Sequence, residues 1–114
     1  MEGEAEFDLS FIFFQEETMK ESDFQAALIL ELKELFPGSL VIKADAGYIQ
    51  GIPDLLILYK DRWAALECKV EHKASRQPNQ SYYVRRMNEM SFCKFIYPEN
   101  KTEVLYELQQ ALGF

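Results

Sequence analysis

The sequence predicts an α/β domain in which a mixed four-stranded sheet is flanked by helices. Two apolar runs, 55–59 and 63–66, are separated by only three polar residues, a pattern typical of a β-hairpin. Apolar residues recur at helical spacing in three other segments. These segments alternate along the chain, so the expected order after residue 20 is α-β-β-β-α-β-α.

The first helix is expected from about Ser22 to Phe36. Ser22 and Gln25 have the spacing of a capping box, and Pro37 and Gly38 are residues that stop a helix. The first strand is expected near Leu40 to Ala44. The apolar stripe that would bury the helix consists of Phe24, Leu28, Leu32 and Leu35.

The second and third strands form the hairpin. A glycine-bounded loop, 45–51, leads into it, and Pro53 is suited to the first position of a strand. The second strand corresponds to the run 55–59, and residues 60–62 provide the turn. A polar loop, 71–77, follows the third strand.

The second helix is expected to begin at Pro78, a favourable first-turn residue, and to continue to about Met90. The fourth strand is expected from Phe92 to Tyr97. Asn100 and Glu103 then have the spacing of a cap for a last helix. The inward face of that helix is expected to contain Val104, Leu105, Leu108 and Leu112.

The open end of the hairpin gathers charged residues. Asp54 precedes the first apolar run, and Glu67 and Lys69 follow the second. Folding the runs together brings Asp54 opposite residues 67–69, whichever turn residue is the apex. Glu67 and Lys69 are two positions apart, so a strand directs both to one face.

These residue types suit phosphodiester chemistry. Two neighbouring carboxylates repel each other, so a site that keeps both ionised usually binds a hard divalent cation such as Mg²⁺. A lysine beside the cation can balance transition-state charge or orient the nucleophile. The alternative is an exposed hairpin in which an ordinary Glu and Lys alternate on the solvent face.

The ordered set resembles the PD-(D/E)xK nuclease superfamily, specifically its small viral-type replication-repair (VRR-NUC) branch. The set comprises an acidic helix start at 21–25, the Gly51-x-Pro53-Asp54 motif, Glu67-x-Lys69, and Gln80 at the start of the next helix. The resemblance covers residues 21 to about 112. It implies a restriction-endonuclease-like core.

The resemblance also implies roles for individual residues. Asp54, Glu67 and the backbone carbonyl of Cys68 would bind the metal, Mg²⁺ or Mn²⁺, and Lys69 and Gln80 would position the attacking water. Glu21 is the best match to the helix acid near the metal, and Asp23 is the alternative. All of these residues are present in the sequence.

Composition is compatible with a small enzyme. The chain has 114 residues, 48% of them hydrophobic, and no segment long enough to span a bilayer, so we expect one domain and no membrane association. The N-terminus is acidic where a secretory signal would be basic, so a cytoplasmic location is expected. Cys68 and Cys93 have no partner at metal-ligand spacing and are expected to be reduced and buried.

The net charge of −7 is concentrated at the N-terminus. Residues 1–23 contain eight acidic residues and one basic residue, and residues 24–114 contain eleven of each. The segment 69–94 has six basic and two acidic residues, next to the predicted site. Its DNA-contacting candidates are Lys73, Arg76, Arg85 and Arg86. A solvated helix face with a basic loop is the alternative.

Residues 1–20 precede the resemblance and form a separate acidic and aromatic arm, while 21–114 form the nuclease-like domain. Phe7, Leu9, Phe11 and Phe13 occur at every second position, which predicts one strand with an apolar face. That face must pack either on the domain's own sheet or on a second subunit. We favour a homodimer. Resolving a four-way DNA junction, the reaction of the Holliday-junction resolvases, requires two cuts, and one domain offers one site.

The function expected from these observations is metal-dependent DNA endonuclease activity, in phage or bacterial replication, recombination or repair. Stand-alone VRR-NUC domains resemble Holliday-junction resolvases, so the resemblance favours branched DNA as substrate. Two alternatives belong to other classes. One is a degenerate nuclease that only binds DNA or a repair partner, and the other is an inhibitor whose acidic arm mimics DNA.

Overall fold

The computed structural model describes residues 19–45, 47–70 and 77–113. It confirms the α/β class and the predicted order of elements. The elements are α1 (Glu21–Leu35), β1 (Leu40–Lys43), β2 (Leu55–Tyr59), β3 (Arg62–Cys68), α2 (Pro78–Met90), β4 (Phe92–Ile96), a 3₁₀ turn (Pro98–Asn100) and α3 (Lys101–Ala111).

The four strands form one mixed sheet in the order β1-β2-β3-β4. β2 is antiparallel to both β1 and β3, whereas β4 is parallel to β3. A parallel neighbour requires a crossover, and α2 provides it. The crossover returns the chain to the sheet beside β3, so the first turn of α2 lies close to the end of β3.

The helices cover opposite faces of the sheet. On one face, α1 and α3 bury a large cluster that includes Leu28, Leu32, Ile57 and Leu108. On the other face, Val84 of α2 packs in a smaller cluster with residues of β3 and β4. Alternate residues of each strand serve the two clusters, as the two-residue period of a strand requires. In β2, Leu55, Ile57 and Tyr59 are buried and the residues between them are half-buried.

Local details differ from the sequence prediction at the ends of several elements. Asn100 is the N-cap of α3, as its spacing predicted, but its side chain makes no cap hydrogen bond and instead accepts the Tyr97 N–H at 2.7 Å. Helix α1 begins at Glu21 after Lys20 as N-cap, without a side-chain cap, so the capping box expected for Ser22 and Gln25 is wrong. The hairpin turn is also shorter than expected: Tyr59 pairs with Arg62, so only two residues form it. Lys60 takes a positive φ of 58°, which closes the shorter turn.

Several predicted features lie outside the described residues. These are the arm at 1–18, including its alternating aromatic residues, and the loop that contains Lys73 and Arg76. Within the described part of the chain, no helix has both the length and the apolar character needed to cross a membrane.

Candidate active site

Asp54 and Glu67 lie next to each other at the open end of the hairpin. Leu55 pairs with Leu66, so one position further along the ladder Asp54 falls beside Glu67. The Cys68 backbone N–H donates a hydrogen bond of 2.8 Å to Asp54 Oδ2. The main chain of Asp54 is fixed as well, because the Ala44 N–H donates to its carbonyl at 2.8 Å. The strand ends therefore hold this carboxylate in place.

Glu67, Gln80 and Lys69 form a chain of hydrogen bonds between β3 and α2. The Gln80 amide Nε2 donates to Glu67 Oε2 at 2.9 Å. Lys69 Nζ donates to Gln80 Oε1 at 3.0 Å, and the Gln77 N–H donates to the same oxygen at 3.2 Å. Two donors on Oε1 fix which end of the amide faces Glu67. Gln80 therefore holds the carboxylate and the lysine in one arrangement.

Glu67 keeps one carboxylate oxygen without a partner. Its side chain is buried, with 1% exposure. Oε2 accepts from Gln80, but in the described part of the chain no hydrogen-bond donor reaches Oε1. A buried acceptor left unpaired costs about 1–3 kcal/mol, and more when it is charged. A ligand that contacts Oε1 would recover this free energy.

The protonation of the site reflects this burial. Desolvation is the main cause that raises the pKa of Glu67 from its ordinary value of 4.5 to about 8, and the negative charge of Asp54 adds to the shift. Burial likewise raises the pKa of Asp54, whereas the Cys68 N–H and the charges of Lys69 and Lys43 lower it. Without a cation, the geometry opposes two negative charges here.

A third carboxylate comes from α1. Burial and the charge of Asp54 raise the pKa of Glu21, and Lys69 lowers it, so Glu21 belongs to the electrostatic surroundings of the site. Asp23, the alternative acid of this helix, lines a groove with Met19 and Lys101. Between the two candidates, Glu21 is the one whose pKa the charge of Asp54 raises.

The residues present fit a divalent cation. In the residues that the structure describes, no group of three or more His, Cys, Asp or Glu side chains is arranged to hold a metal ion. The donor set expected for Mg²⁺ is of a different kind, since it consists of two carboxylates and the Cys68 carbonyl. A cation bound by this donor set would explain why Glu67 Oε1, on the residue beside Asp54, is buried without a hydrogen-bond partner.

Gly51 is a site residue whose packing role sequence analysis missed. It has a positive φ of 92°, and a Cβ at this position would lie 2.4 Å from the Asn79 Cβ and 2.9 Å from the Asn79 backbone carbon. The loop before Asp54 thus packs directly on the first turn of α2, next to Gln80. The glycine in Gly51-x-Pro53-Asp54 was the available signal, but its contact partner is not visible in the sequence.

The predicted DNA-contacting residues that the structure describes are on α2. Arg85 and Arg86 are both exposed, one to two turns beyond Gln80. Arg86 Nη1 lies 3.8 Å from Glu89 Oε1, and the Arg85 guanidinium lies 5.8 Å from the ring centre of Tyr82. Lys43, which acts electrostatically on Asp54, adds a basic residue on the β1 side.

The two cysteines are buried and unpaired with each other, as the sequence predicted. Burial raises the pKa of both thiols. The Cys68 side chain is buried in the apolar cluster beneath α1 and α3. The contribution expected from Cys68 is therefore its backbone carbonyl.

Comparison of the chain with protein-family models, with curated proteins and with solved structures gives no match. The class of this protein is therefore inferred from the residues and geometry of the site.

Proposed function

We propose that this chain is a divalent-metal-dependent DNA endonuclease of the PD-(D/E)xK type, similar to VRR-NUC domains. The observation that carries the proposal is the convergence of Asp54, Glu67, Lys69 and Gln80 at the end of one hairpin. The hairpin pattern predicted that Asp54 would lie near Glu67 and Lys69, and the resemblance added Gln80. The hydrogen bonds from Gln80 to Glu67 and from Lys69 to Gln80 support that grouping.

Each residue has a role that follows from its contacts. Asp54, Glu67 and the Cys68 carbonyl would hold Mg²⁺ or Mn²⁺, with Glu21 as a further acid at the edge of the site. A cation bound there polarises a phosphoryl oxygen and lowers the pKa of a bound water. Lys69 carries the positive charge that offsets negative charge developing on the phosphoryl group.

Gln80 is the residue that orients the others. Its amide holds one oxygen of Glu67, which leaves the other oxygen for the cation, and its carbonyl accepts from the Lys69 ammonium. A lysine restrained in this way can hold the attacking water in line with the phosphorus. The reaction is hydrolysis of one phosphodiester bond by water.

The proposed substrate is DNA, with branched DNA such as a four-way junction as the specific form, and the proposed setting is phage or bacterial replication, recombination or repair. Arg85 and Arg86 would contact phosphates outside the cleavage site, and Lys73 and Arg76 are the further candidates that the sequence offers. Because a junction is resolved by two cuts, the proposed active form is a homodimer.

The test is incubation with supercoiled, linear and four-way-junction DNA, with and without Mg²⁺ or Mn²⁺. The proposal predicts metal-dependent cleavage, fastest on the junction. Metal-independent binding without cleavage would instead identify a DNA-binding module. Neither binding nor cleavage of any DNA would contradict the proposal and favour an interaction protein, the second alternative.

A further inference from the structure

The sheet presents apolar side chains to solvent on the part of its surface that α2 leaves open. α2 packs against β3 and β4. On the same face, Leu40 and Ile42 of β1 are 61% and 42% exposed. They pair across the ladder with Leu58 and Leu56, which are half-buried. We call these four residues the open apolar face: Leu40, Ile42, Leu56 and Leu58.

The open apolar face adjoins a sheet edge. Within the described part of the chain, β1 is an outer strand of the sheet. An outer strand offers backbone N–H and C=O groups to another strand, and proteins usually protect such an edge with charges, proline or a covering element. Here β1 has the sequence Leu-Val-Ile-Lys, with one charge at its end. Its edge and its apolar face together favour the addition of a strand.

We propose that residues 7–13 of a second copy of this chain form that strand. Phe7, Leu9, Phe11 and Phe13 alternate with smaller or polar neighbours except Ile12, so a strand directs all four to one face. Added to the edge of β1, this face continues the open apolar face across the sheet. Each copy thereby covers the other.

The first reason for assigning the strand to a second copy is the handedness of strand connections. The N-terminus of α1 lies at the Lys43 end of β1, because Glu21 acts on Asp54 and Asp54 bonds to Ala44. A strand of the same chain parallel to β1 would connect to it through α1. With α1 and α2 on opposite faces, that connection has the hand opposite to that of the β3-α2-β4 unit. About 98% of such crossovers are right-handed, so a parallel strand of the same chain would force one of the two connections into the rare hand.

The second reason concerns reach in the antiparallel orientation. A strand of residues 7–13 is about 23 Å long and would end at the far end of β1 from α1. Residues 14–20 would then have to make a turn, return along the whole strand and pass to the other face of the sheet. Seven residues span at most about 25 Å when fully extended. A segment from another copy has neither restriction.

Full burial of these four apolar side chains in each copy would give an interface of the size that a stable dimer needs. Three phenylalanines and a leucine contribute roughly 600 Å² from each segment, so two reciprocal segments contribute roughly 1,200 Å² before the surfaces beneath them are counted. Specific interfaces bury about 1,200–2,000 Å² in total. The inference does not depend on the proposed nuclease activity, because it uses no residue of the candidate active site.

The first experiment measures mass by light scattering at micromolar concentration. The full-length protein is expected to be a dimer. Deletion of residues 1–15 is expected to give a folded monomer. The double substitution of Leu40→Lys with Ile42→Lys is expected to do the same. Leu30→Lys is the matched control, because Leu30 is 67% exposed on α1 and lies outside the open apolar face. This variant should remain a dimer.

Cross-linking decides whose segment covers the face. A Phe11→Cys variant and an Ile42→Cys variant are mixed and treated with a short bis-maleimide, a reagent that the buried Cys68 and Cys93 do not meet. A covalent dimer in the mixture, absent from either variant alone, supports the proposal. A full-length monomer would overturn the proposal, as would a dimer that survives the deletion or the double lysine substitution. So would a cross-link that forms only within single chains, in a protein that carries Phe11→Cys and Ile42→Cys together.

Discussion

Asp54 and Glu67 are adjacent carboxylates on neighbouring strands, and each is restrained by a different neighbour. Asp54 accepts the Cys68 N–H, while Glu67 accepts the Gln80 amide. Restrained carboxylates cannot move apart to reduce their repulsion. At the scale of single residues, the site therefore has a cost in the metal-free protein that a cation removes.

Removing the charged group of Asp54, Glu67 or Lys69, the three central residues of the site, should stop catalysis without unfolding the protein. We expect Asp54→Asn, Glu67→Ala and Lys69→Ala each to reduce the rate of DNA cleavage at least about 100-fold, as loss of a group that stabilises the transition state does. DNA binding should persist. Asp61→Asn is the matched control, because Asp61 occupies the exposed turn at the opposite end of the hairpin. A central variant that cleaves at the wild-type rate would show that the site is misassigned.

The pKa of Glu67 predicts how stability varies with pH in the metal-free protein. Between about 4.5 and 8, folded Glu67 retains a proton that the unfolded chain has released. Because the folded state binds more protons, the free energy of unfolding should fall as pH rises, by up to about 1.4 kcal/mol per pH unit for one proton, and then level off.

The Glu67→Gln variant isolates this contribution, since it keeps an oxygen that accepts from Gln80 but does not titrate. Urea unfolding of both proteins from pH 5 to 9, with chelator present, gives the difference in unfolding free energy. We expect the wild type to lose stability relative to the variant between pH 5 and 8. A difference that is constant with pH would mean that Glu67 is ionised throughout.

At the scale of elements, the contact between the 45–51 loop and α2 aligns the two halves of the site. Asp54 follows the loop, and Gln80 is in the first turn of α2. Gly51 and Asn79 join them, with a weak hydrogen bond of 3.5 Å from Asn79 Nδ2 to the Gln50 carbonyl beside the contact. A displacement here would move Gln80 relative to Glu67 and Lys69.

Gly51→Ala should therefore reduce both stability and cleavage. The new Cβ would overlap Asn79, and the positive φ disfavours any side chain. Gly38→Ala is the matched control, because Gly38 has a φ of 87° but no atom lies within 4 Å of the position that its new Cβ would occupy. The control should share the backbone cost and retain activity. Thermal melting and single-turnover cleavage measure the two effects, and equal activity in both variants would contradict the alignment role.

The elements whose ends are marked by special residues were predictable from sequence. β2 and α2 have the predicted bounds, because Pro53 and Pro78 precede or begin them and clear apolar patterns define their extent. The start of α1 was mispredicted because a capping spacing at Ser22 competed with helix propensity one residue earlier, and α1 forms without a side-chain cap. Packing on the sheet supplies the stability that the cap would have contributed.

The candidate site was predictable in part for a related reason. A hairpin brings its own ends together, so Asp54 was expected opposite residues 67–69 from local pattern alone. The contacts that Gln80 and Asn79 make depend on where the crossover helix returns to the sheet. That position is set by packing of Val84 against β3 and β4, which a single sequence does not reveal.

At the scale of the whole molecule, charge is distributed unevenly. The net negative charge lies before residue 24, and the segment from 69 to 94 is basic. A surface of this kind binds phosphates with a strong dependence on salt.

Reversing the charge of Arg85 or Arg86 should weaken DNA binding and flatten the plot of log affinity against log salt concentration, by about 0.9 in slope for each lost phosphate contact. Mn²⁺ affinity should not change. Fluorescence anisotropy at several salt concentrations measures this, with the exposed Lys33→Glu on α1 as control. If both arginine variants retain the wild-type slope, this helix face does not contact DNA.

In the proposed site, the open end of the hairpin holds a divalent cation between Asp54 and Glu67. Mn²⁺ titration of the wild type and of Asp54→Asn measures this binding, with bound Mn²⁺ counted by electron paramagnetic resonance and the melting temperature recorded at each point. The wild type should bind Mn²⁺ and melt at a higher temperature as it does so. Asp54→Asn should be at least as stable without metal, because the negative charge that opposes ionisation of Glu67 is gone, and should show no such rise. If Asp54→Asn binds as much Mn²⁺ as the wild type and its melting temperature rises equally, the cation lies elsewhere and the proposed site is contradicted.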